Sequence, residues 1–300
     1  MTFERFEAED LPEVTDLMKR TNDRDIVNES LMREKIIEDF DYDAEMTLVA
    51  RNGGEIIGFI MGVVRQREEG PLAYVKLLGV DKKYRRKKIG TGLLKEVERR
   101  AKELGARKIR AFESYPNYFT PGVDPFYTEA VCFFERNGYH KFADCSNLIC
   151  DLKNQSFDTR EEEIALYDKG IICKRATLDD FERLEEWTEK NFKGWLGEIR
   201  AAFSNEPPSI HIAENKDGII AFSAYETNNK GTAWFGPMGT TPAARGLGIG
   251  GVLLKRCMSD MQQMGFEKSI IPWVGPIPFY MHYVKSPVDR VFWRYEKTLE

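Results

Sequence analysis

Residues 245–250 read Arg-Gly-Leu-Gly-Ile-Gly, between a strand-like run at 231–239 and a helical pattern at 251–265. The N-terminus of a helix leaves about four backbone N–H groups without partners, and its dipole favours negative charge. Glycines there remove side chains, so a phosphate can come close to the amides. Arg245, just before them, adds a forked donor for the same anion. The chemistry this stretch offers is therefore the holding of a diphosphate by Arg245, Gly246, Leu247, Gly248, Ile249, Gly250 and Gly251. Residues 85–92, Arg-Arg-Lys-Lys-Ile-Gly-Thr-Gly, sit in the same setting with fewer glycines. They offer Arg85, Lys88, Gly90 and Thr91 for the same task.

Several anion sites use glycine turns, so the surrounding elements must discriminate. A dinucleotide fold puts its glycine turn after the first strand of a βαβ unit. Here each turn follows a hairpin and a third strand. A phosphate loop of the Walker type ends in Gly-Lys-Ser/Thr, which neither copy contains.

The order of elements repeats. In the first half, a strand and a helix (1–21) precede two β-rich runs around Asn52-Gly53-Gly54, a hairpin signal. A third apolar run (73–80) leads into the turn. A helix follows, with Ile89, Leu93, Leu94, Val97, Ala101 and Leu104 on one face and Gly105 as its stop. A strand at 107–112 and a helix ending at Gly138 complete this half. The second half gives a strand and a helix with Thr177 as N-cap, then a hairpin around Asp217-Gly218. A long central strand at 231–239 enters the glycine turn. The next helix buries Ile249, Val252, Leu253, Cys257, Met261 and Met264 and stops at Gly265. A strand (268–274), a helix (278–285) and a last strand (288–299) follow. Matching turns in matching places point to an internal duplication. We expect domains at 1–153 and 171–300 joined by a charged linker, 154–170, part of it helical.

This order, with Arg245-Gly246-Leu247-Gly248-Ile249-Gly250 at the end of a fourth strand, resembles the GNAT superfamily of acyl-CoA-dependent N-acetyltransferases. The resemblance covers nearly the whole chain as two tandem copies, and it is stronger in the second. It implies an α/β (α+β) fold: two tandem GNAT folds, each a mixed, mostly antiparallel twisted sheet flanked by helices. It implies acetyl-CoA as co-substrate, no metal, and direct transfer to a primary amine. It implies carbonyl polarisation by a backbone N–H at a bulge in the fourth strand, here Gly236-Pro237-Met238-Gly239, with Met238, Gly239 and Thr240 along the cofactor. Pro237 cannot donate to a ladder; it marks either that bulge or simply a strand end. The family often places a Tyr on the helix after the fifth strand to protonate the leaving thiolate. Tyr280 matches that position, whereas the first copy has Phe134. In the first copy Lys88 also replaces the first glycine. The second copy is thus expected to be catalytic and the first degenerate.

The fourth strand lacks the carboxylate that often acts as base in this family. Asp289, and after it Glu226, are the candidate distant acids. The absence also suits an amine of low basicity, such as that of an amino sugar. All five tryptophans lie in the second half, and aromatic faces stack on sugars. The C-terminal pattern is similar to tandem glucosamine or glucosaminide acetyltransferases. A polyamine, an aminoglycoside or a protein amine is the alternative acceptor. A non-catalytic acyl-CoA-binding protein is the alternative from another class.

The bulk properties agree with this reading. The 300 residues suit two cores, and 42% are hydrophobic. The net charge of −5 does not suit a nucleic-acid binder, despite the basic run 82–88. The N-terminal residues lack the apolar stretch of a signal peptide. The longest apolar run, 56–64, is half a membrane span. Five cysteines with no Cys-x-x-Cys pair suggest reduced thiols and a cytoplasmic location. His140, His211 and His282 lack metal-ligand spacing. Expected partners are a small-molecule amine and no nucleic acid or membrane, with the chain a monomer or homodimer.

Overall fold

A computed structural model describes residues 3–300. The chain forms two compact units. One contains residues up to Cys145 together with Val291–Glu300, and the other contains Ser146–Arg290. These units cut the chain differently from the boundaries read in the sequence. The last strand counts with the first unit, and 146–170 count with the second.

In the first unit the strands are β1 (Phe3–Arg5), β2 (Thr47–Asn52), β3 (Glu55–Arg67), β4 (Gly70–Val80) and β5 (Lys108–Ala111). To these it adds the start of β6 (His140–Asp151) and most of the final strand, Val288–Thr298. The order is β1-β2-β3-β4-β5-final strand-β6. β1 with β2, β2 with β3, β3 with β4 and β5 with the final strand pair antiparallel, and β4 with β5 parallel. The hairpin turns at Gly53 and Gly54, both at positive φ, where glycine carries no steric penalty. Helices α1 (Leu11–Thr21) and α2 (Glu29–Ile36) cover one face. Helices α3 (Ile89–Glu103) and α4 (Thr128–Arg136) cover the other. The sequence reading did not include α2, whose N-cap Asn28 accepts from the Leu31 amide. Leu104, expected on the buried face of α3, is exposed at the C-cap. The helix ends there, so its 3.6-residue period no longer aims the side chain.

In the second unit α5 (Arg160–Tyr167) precedes β7 (Ile172–Arg175), α6 (Phe181–Phe192) and α7 (Leu196–Phe203). Then come β8 (Ile210–Asn215), β9 (Gly218–Tyr225), β10 (Phe235–Thr240), α8 (Ile249–Gln263), β11 (Lys268–Ile271) and α9 (Ile277–Val284). The final strand of the chain is β12. Strands β10-β9-β8-β7 form an antiparallel sheet, and β11 pairs with residues 148–151 of β6. A single parallel bridge, Trp234 to Ile270, links the start of β10 to β11. The strand expected over 231–239 is thus shorter, and it lies at an edge. Ala233 has φ +54°, so the chain enters β10 from a turn rather than a straight run. Met264 is exposed rather than buried because it caps the helix as its chain turns to Gly265.

The duplication shows in matching pairs. Tyr74 lies opposite Arg110 as Trp234 lies opposite Ile270. Asp81 and Thr241 each begin a short 3-10 turn before the glycine-type turn. A ring of the following helix meets the same glycine in each half: Phe133 at Gly90 and Phe279 at Gly250.

Candidate active site

In the second unit the turn before α8 has the geometry its glycines allow. Gly246 has φ +81° and Gly248 φ +87°, a region where a side chain costs roughly 1–2 kcal/mol. Nothing lies within 4 Å of where a Cβ would stand on either. The space over the turn is therefore open. Arg245 is exposed, and its Nε donates to the Thr240 carbonyl at 3.3 Å. No carboxylate pairs with it among the described residues. An open turn, a clear arginine and a helix start fit the phosphates of a coenzyme.

The strand leading there is broken where Pro237 predicted. Phe235 pairs with Tyr225 and Met238 with Ser223, so two residues of β10 face one of β9. This is a bulge, which bends a strand and frees backbone groups. Gly236 carries φ +112°. Beyond the Trp234 bridge, the outer side of β10 has no strand partner among the described residues. The amide-bearing edge of 236–240 is thus open. Met238 packs with Phe279 against Gly250, whose missing Cβ would lie 3.4 Å from both.

Tyr280 sits on α9 in the same cluster. Its ring meets Phe235 edge-on at 6.2 Å and Phe279 at 5.1 Å. Burial pushes its hydroxyl up to about 12. No protein group hydrogen-bonds that hydroxyl among the described residues, and it is not among the fully enclosed polar atoms. It is a neutral donor without an acceptor among the described residues. The structure thus brings together Met238, Gly250 and Tyr280 and places the 245–248 turn at the head of the same helix.

The two carboxylate candidates lie elsewhere. Asp289 is exposed on β12, at its second residue. Glu226 is buried, and its carboxylate accepts from the Trp234 amide at 2.9 Å and from the Gly231 amide. That role closes the 226–234 loop.

The first unit repeats the frame with different contents. Arg86 and Lys88 hold φ +64° and +65°, the conformation of Gly246 and Gly248. Arg85 pairs with Glu129 of α4. Phe134 is fully buried among Phe112, Phe133, Tyr139 and Tyr295. Lys76, at the bulge of β4, stands where the second unit has Gly236. Its ammonium is fully buried and bound to Asp39. Asp39 also takes both terminal nitrogens of Arg65, at 2.6 and 2.7 Å. The sequence reading missed this cluster. A lysine inside an otherwise apolar strand run was its only signal.

Another contact also went unread. The Phe192 ring lies on Gly239, 2.9–3.1 Å from where its Cβ would be. A glycine inside a strand is the available signal for such an approach.

Comparison with known proteins decides the family. The family model described as acetyltransferase (GNAT) family matches residues 11–129 and again 174–280. The chain belongs to the GNAT acetyltransferase family. It carries the family's domain twice, as the repeated order of elements implied. No curated protein matches it. Among solved structures, it is similar to the glucosamine N-acetyltransferase region of a fungal multi-domain GH3 β-N-acetylglucosaminidase, with TM-score 0.82 and 20% identity. That likeness covers 98% of this chain but 38% of the fungal one, so this GNAT chain spans well under half of that protein. A GNAT protein from Sphaerobacter thermophilus aligns at TM-score 0.73 and 16% identity, over 100% of this chain and 96% of its own. A tandem GNAT protein from the clavulanic acid biosynthesis pathway aligns at TM-score 0.69 and 15% identity, over 100% and 98%. At these identities the likeness is one of fold. Among the described residues of this GNAT chain no group of His, Cys, Asp or Glu is placed to hold a metal ion. No helix among them is long and apolar enough to cross a membrane.

Proposed function

We propose that the second unit transfers an acetyl group from acetyl-CoA to the primary amine of an amino sugar such as glucosamine, and that the first unit does not catalyse transfer. Acetyl-CoA supplies the acetyl group already activated as a thioester. Arg245 and the amides of 246–251 hold its phosphates, and Gly239 and Thr240 run beside it. The Met238 amide, at the bulge, polarises the carbonyl. Tyr280 keeps its proton at neutral pH and gives it to the departing thiolate. Asp289 is the carboxylate we assign to the outgoing amine proton, reached only through water, since β10 itself carries no acid.

The observation that carries this reading is an open turn at the head of α8 together with a tyrosine whose ring is buried against α8's neighbours and whose hydroxyl has no partner among the described residues. The first unit lacks both. Its turn arginine is engaged by Glu129, its tyrosine is Phe134, and its bulge holds the ammonium of Lys76.

The test is release of free CoA thiol from acetyl-CoA with glucosamine, chitosan-type oligomers, spermidine, an aminoglycoside and a peptide amine. Turnover with amino sugars above the others supports the reading. Turnover only with another amine removes the acceptor and keeps the transferase. No turnover with any amine, with acetyl-CoA still bound, removes catalysis.

A further inference from the structure

The open edge of β10 has two faces, and they are unlike. One is filled by Met238, Phe279 and Tyr280 with α8 and α9. The other carries aromatic rings from the junction of α6 and α7. Helix α6 ends at Phe192, a 3-10 turn spans Lys193–Trp195, and α7 begins at Leu196. A 3-10 turn has three residues per turn, so side chains at i and i+3 eclipse. Phe192 and Trp195 accordingly lie parallel, 5.3 Å apart with 18° between planes. Phe192 rests on Gly239, the residue after the Met238 amide. Trp187 meets Phe192 at 5.4 Å, and all three rings lean on Phe222, which pairs with Gly239 across the ladder.

These rings are only half-buried. Neither indole N–H, of Trp187 or of Trp195, has a hydrogen-bond partner among the described residues, and neither is fully enclosed. Each is an amphipathic body with a free donor, the arrangement that serves a ligand with an apolar face and hydroxyls on its rim. We infer that Phe192 and Trp195 form an aromatic shelf beside Gly239 that selects a ring-shaped, hydroxylated amine, the pyranose form of an amino sugar. The ring packs on the shelf, its hydroxyls accept from Trp195 and Trp187, and its amine points along β10 toward Met238. The glycine at 239 is what lets the shelf approach the strand.

This inference rests on the transfer reading above for its readout and on the shelf for its selectivity. The experiment compares glucosamine with glucamine, an open-chain amine with similar hydroxyls, as acceptors for wild type, Trp195→Ala and Trp195→Phe. We expect Trp195→Ala to lower the cyclic-over-acyclic preference in kcat/KM by about tenfold, mostly through the KM for glucosamine. Trp195→Phe keeps a flat ring and should retain most of the preference. The apparent affinity for acetyl-CoA should not move in either. An equal loss for both acceptors, or no loss, overturns the shelf. If the wild type turns over no amine, tryptophan fluorescence replaces kinetics. A change with glucosamine that Trp195→Phe abolishes upholds the shelf although transfer has failed, and no change overturns both.

Discussion

Lys88 and Gly248 hold the same place in the two halves, each the last residue before its helix, with φ +65° and +87°. The backbone of the turn is thus kept where the glycine is not. A non-glycine residue there costs roughly 1–2 kcal/mol, of which a glycine returns part through its freer unfolded chain. Lys88→Gly should therefore raise stability by about 1 kcal/mol. Chemical denaturation of the full chain measures it. A fall in stability would mean that the Lys88 side chain contributes more than its backbone loses.

Tyr280→Phe removes one hydroxyl and keeps the ring that packs on Phe235 and Phe279. Turnover should fall by about 10²-fold or more, with acetyl-CoA binding by calorimetry unchanged. Because burial lifts this hydroxyl to about 12, wild-type turnover should show no alkaline loss from it below about pH 11. A variant with wild-type turnover would remove Tyr280 as the acid.

In both halves the sequence revealed local features and hid those made by distant contacts. Hairpins at Gly53-Gly54 and Asp217-Gly218, and helices ending at Gly105 and Gly265, were legible because their signals are local. The break at Pro237 was legible because a missing N–H interrupts a ladder, but its form, a bulge rather than a strand end, came only with the pairing of Phe235 and Met238 to β9. The exchange of the last strand into the first unit was not, since strand pairing is set by contacts far apart in sequence. The Phe192–Gly239 approach and the Lys76–Asp39 pair were hidden for the same reason. Each joins residues that no period connects.

The Asp39 cluster gives a prediction about the first unit alone. Asp39, Arg65 and Lys76 are almost wholly buried. Burial opposes the Asp39 charge, but the bonds from Arg65 and the charge of Lys76 hold it down to about 2. Burial pulls Lys76 down, with Asp39 resisting. Asp39→Asn leaves the Lys76 ammonium without its counter-ion and Arg65 with Asp41 alone, at 2.8 Å, and removing one partner of a buried pair costs roughly 3–5 kcal/mol. The variant should lose that much in denaturant titrations, while transfer by the second unit persists at temperatures where the chain stays folded. A loss below about 1 kcal/mol, the range of exposed pairs, would show that the cluster is hydrated.

His211 predicts how the second unit answers acid. Its ring is buried between β8 and α8. Arg256 Nε donates to Nδ1 at 3.1 Å, which leaves the ring proton on Nε2 facing Asp260 Oδ2 at 2.5 Å. Arg175 binds the other Asp260 oxygen at 2.7 Å and donates to Tyr225 at 3.0 Å, and Arg256 also reaches Glu163 of α5 at 2.7 Å. Cys257 of α8 donates to Ser223 of β9 nearby. A second ring proton would point Nδ1–H at Arg256, donor against donor. Burial sets the balance, and the His211 pKa lies below its ordinary 6.5 although Asp260 pulls the other way. The unfolded chain therefore binds more protons than the folded one just below about pH 6.5, and stability rises with pH through that window. Stability should be full above about pH 6.5, fall as acid is added, and level off once the folded-state value is passed. His211→Gln removes this titration, so its melting temperature should change less between pH 7.5 and 5 than that of the wild type. Equal slopes for the two proteins would mean that other groups carry the acid response and that the Arg256–His211–Asp260 chain takes up the proton without penalty.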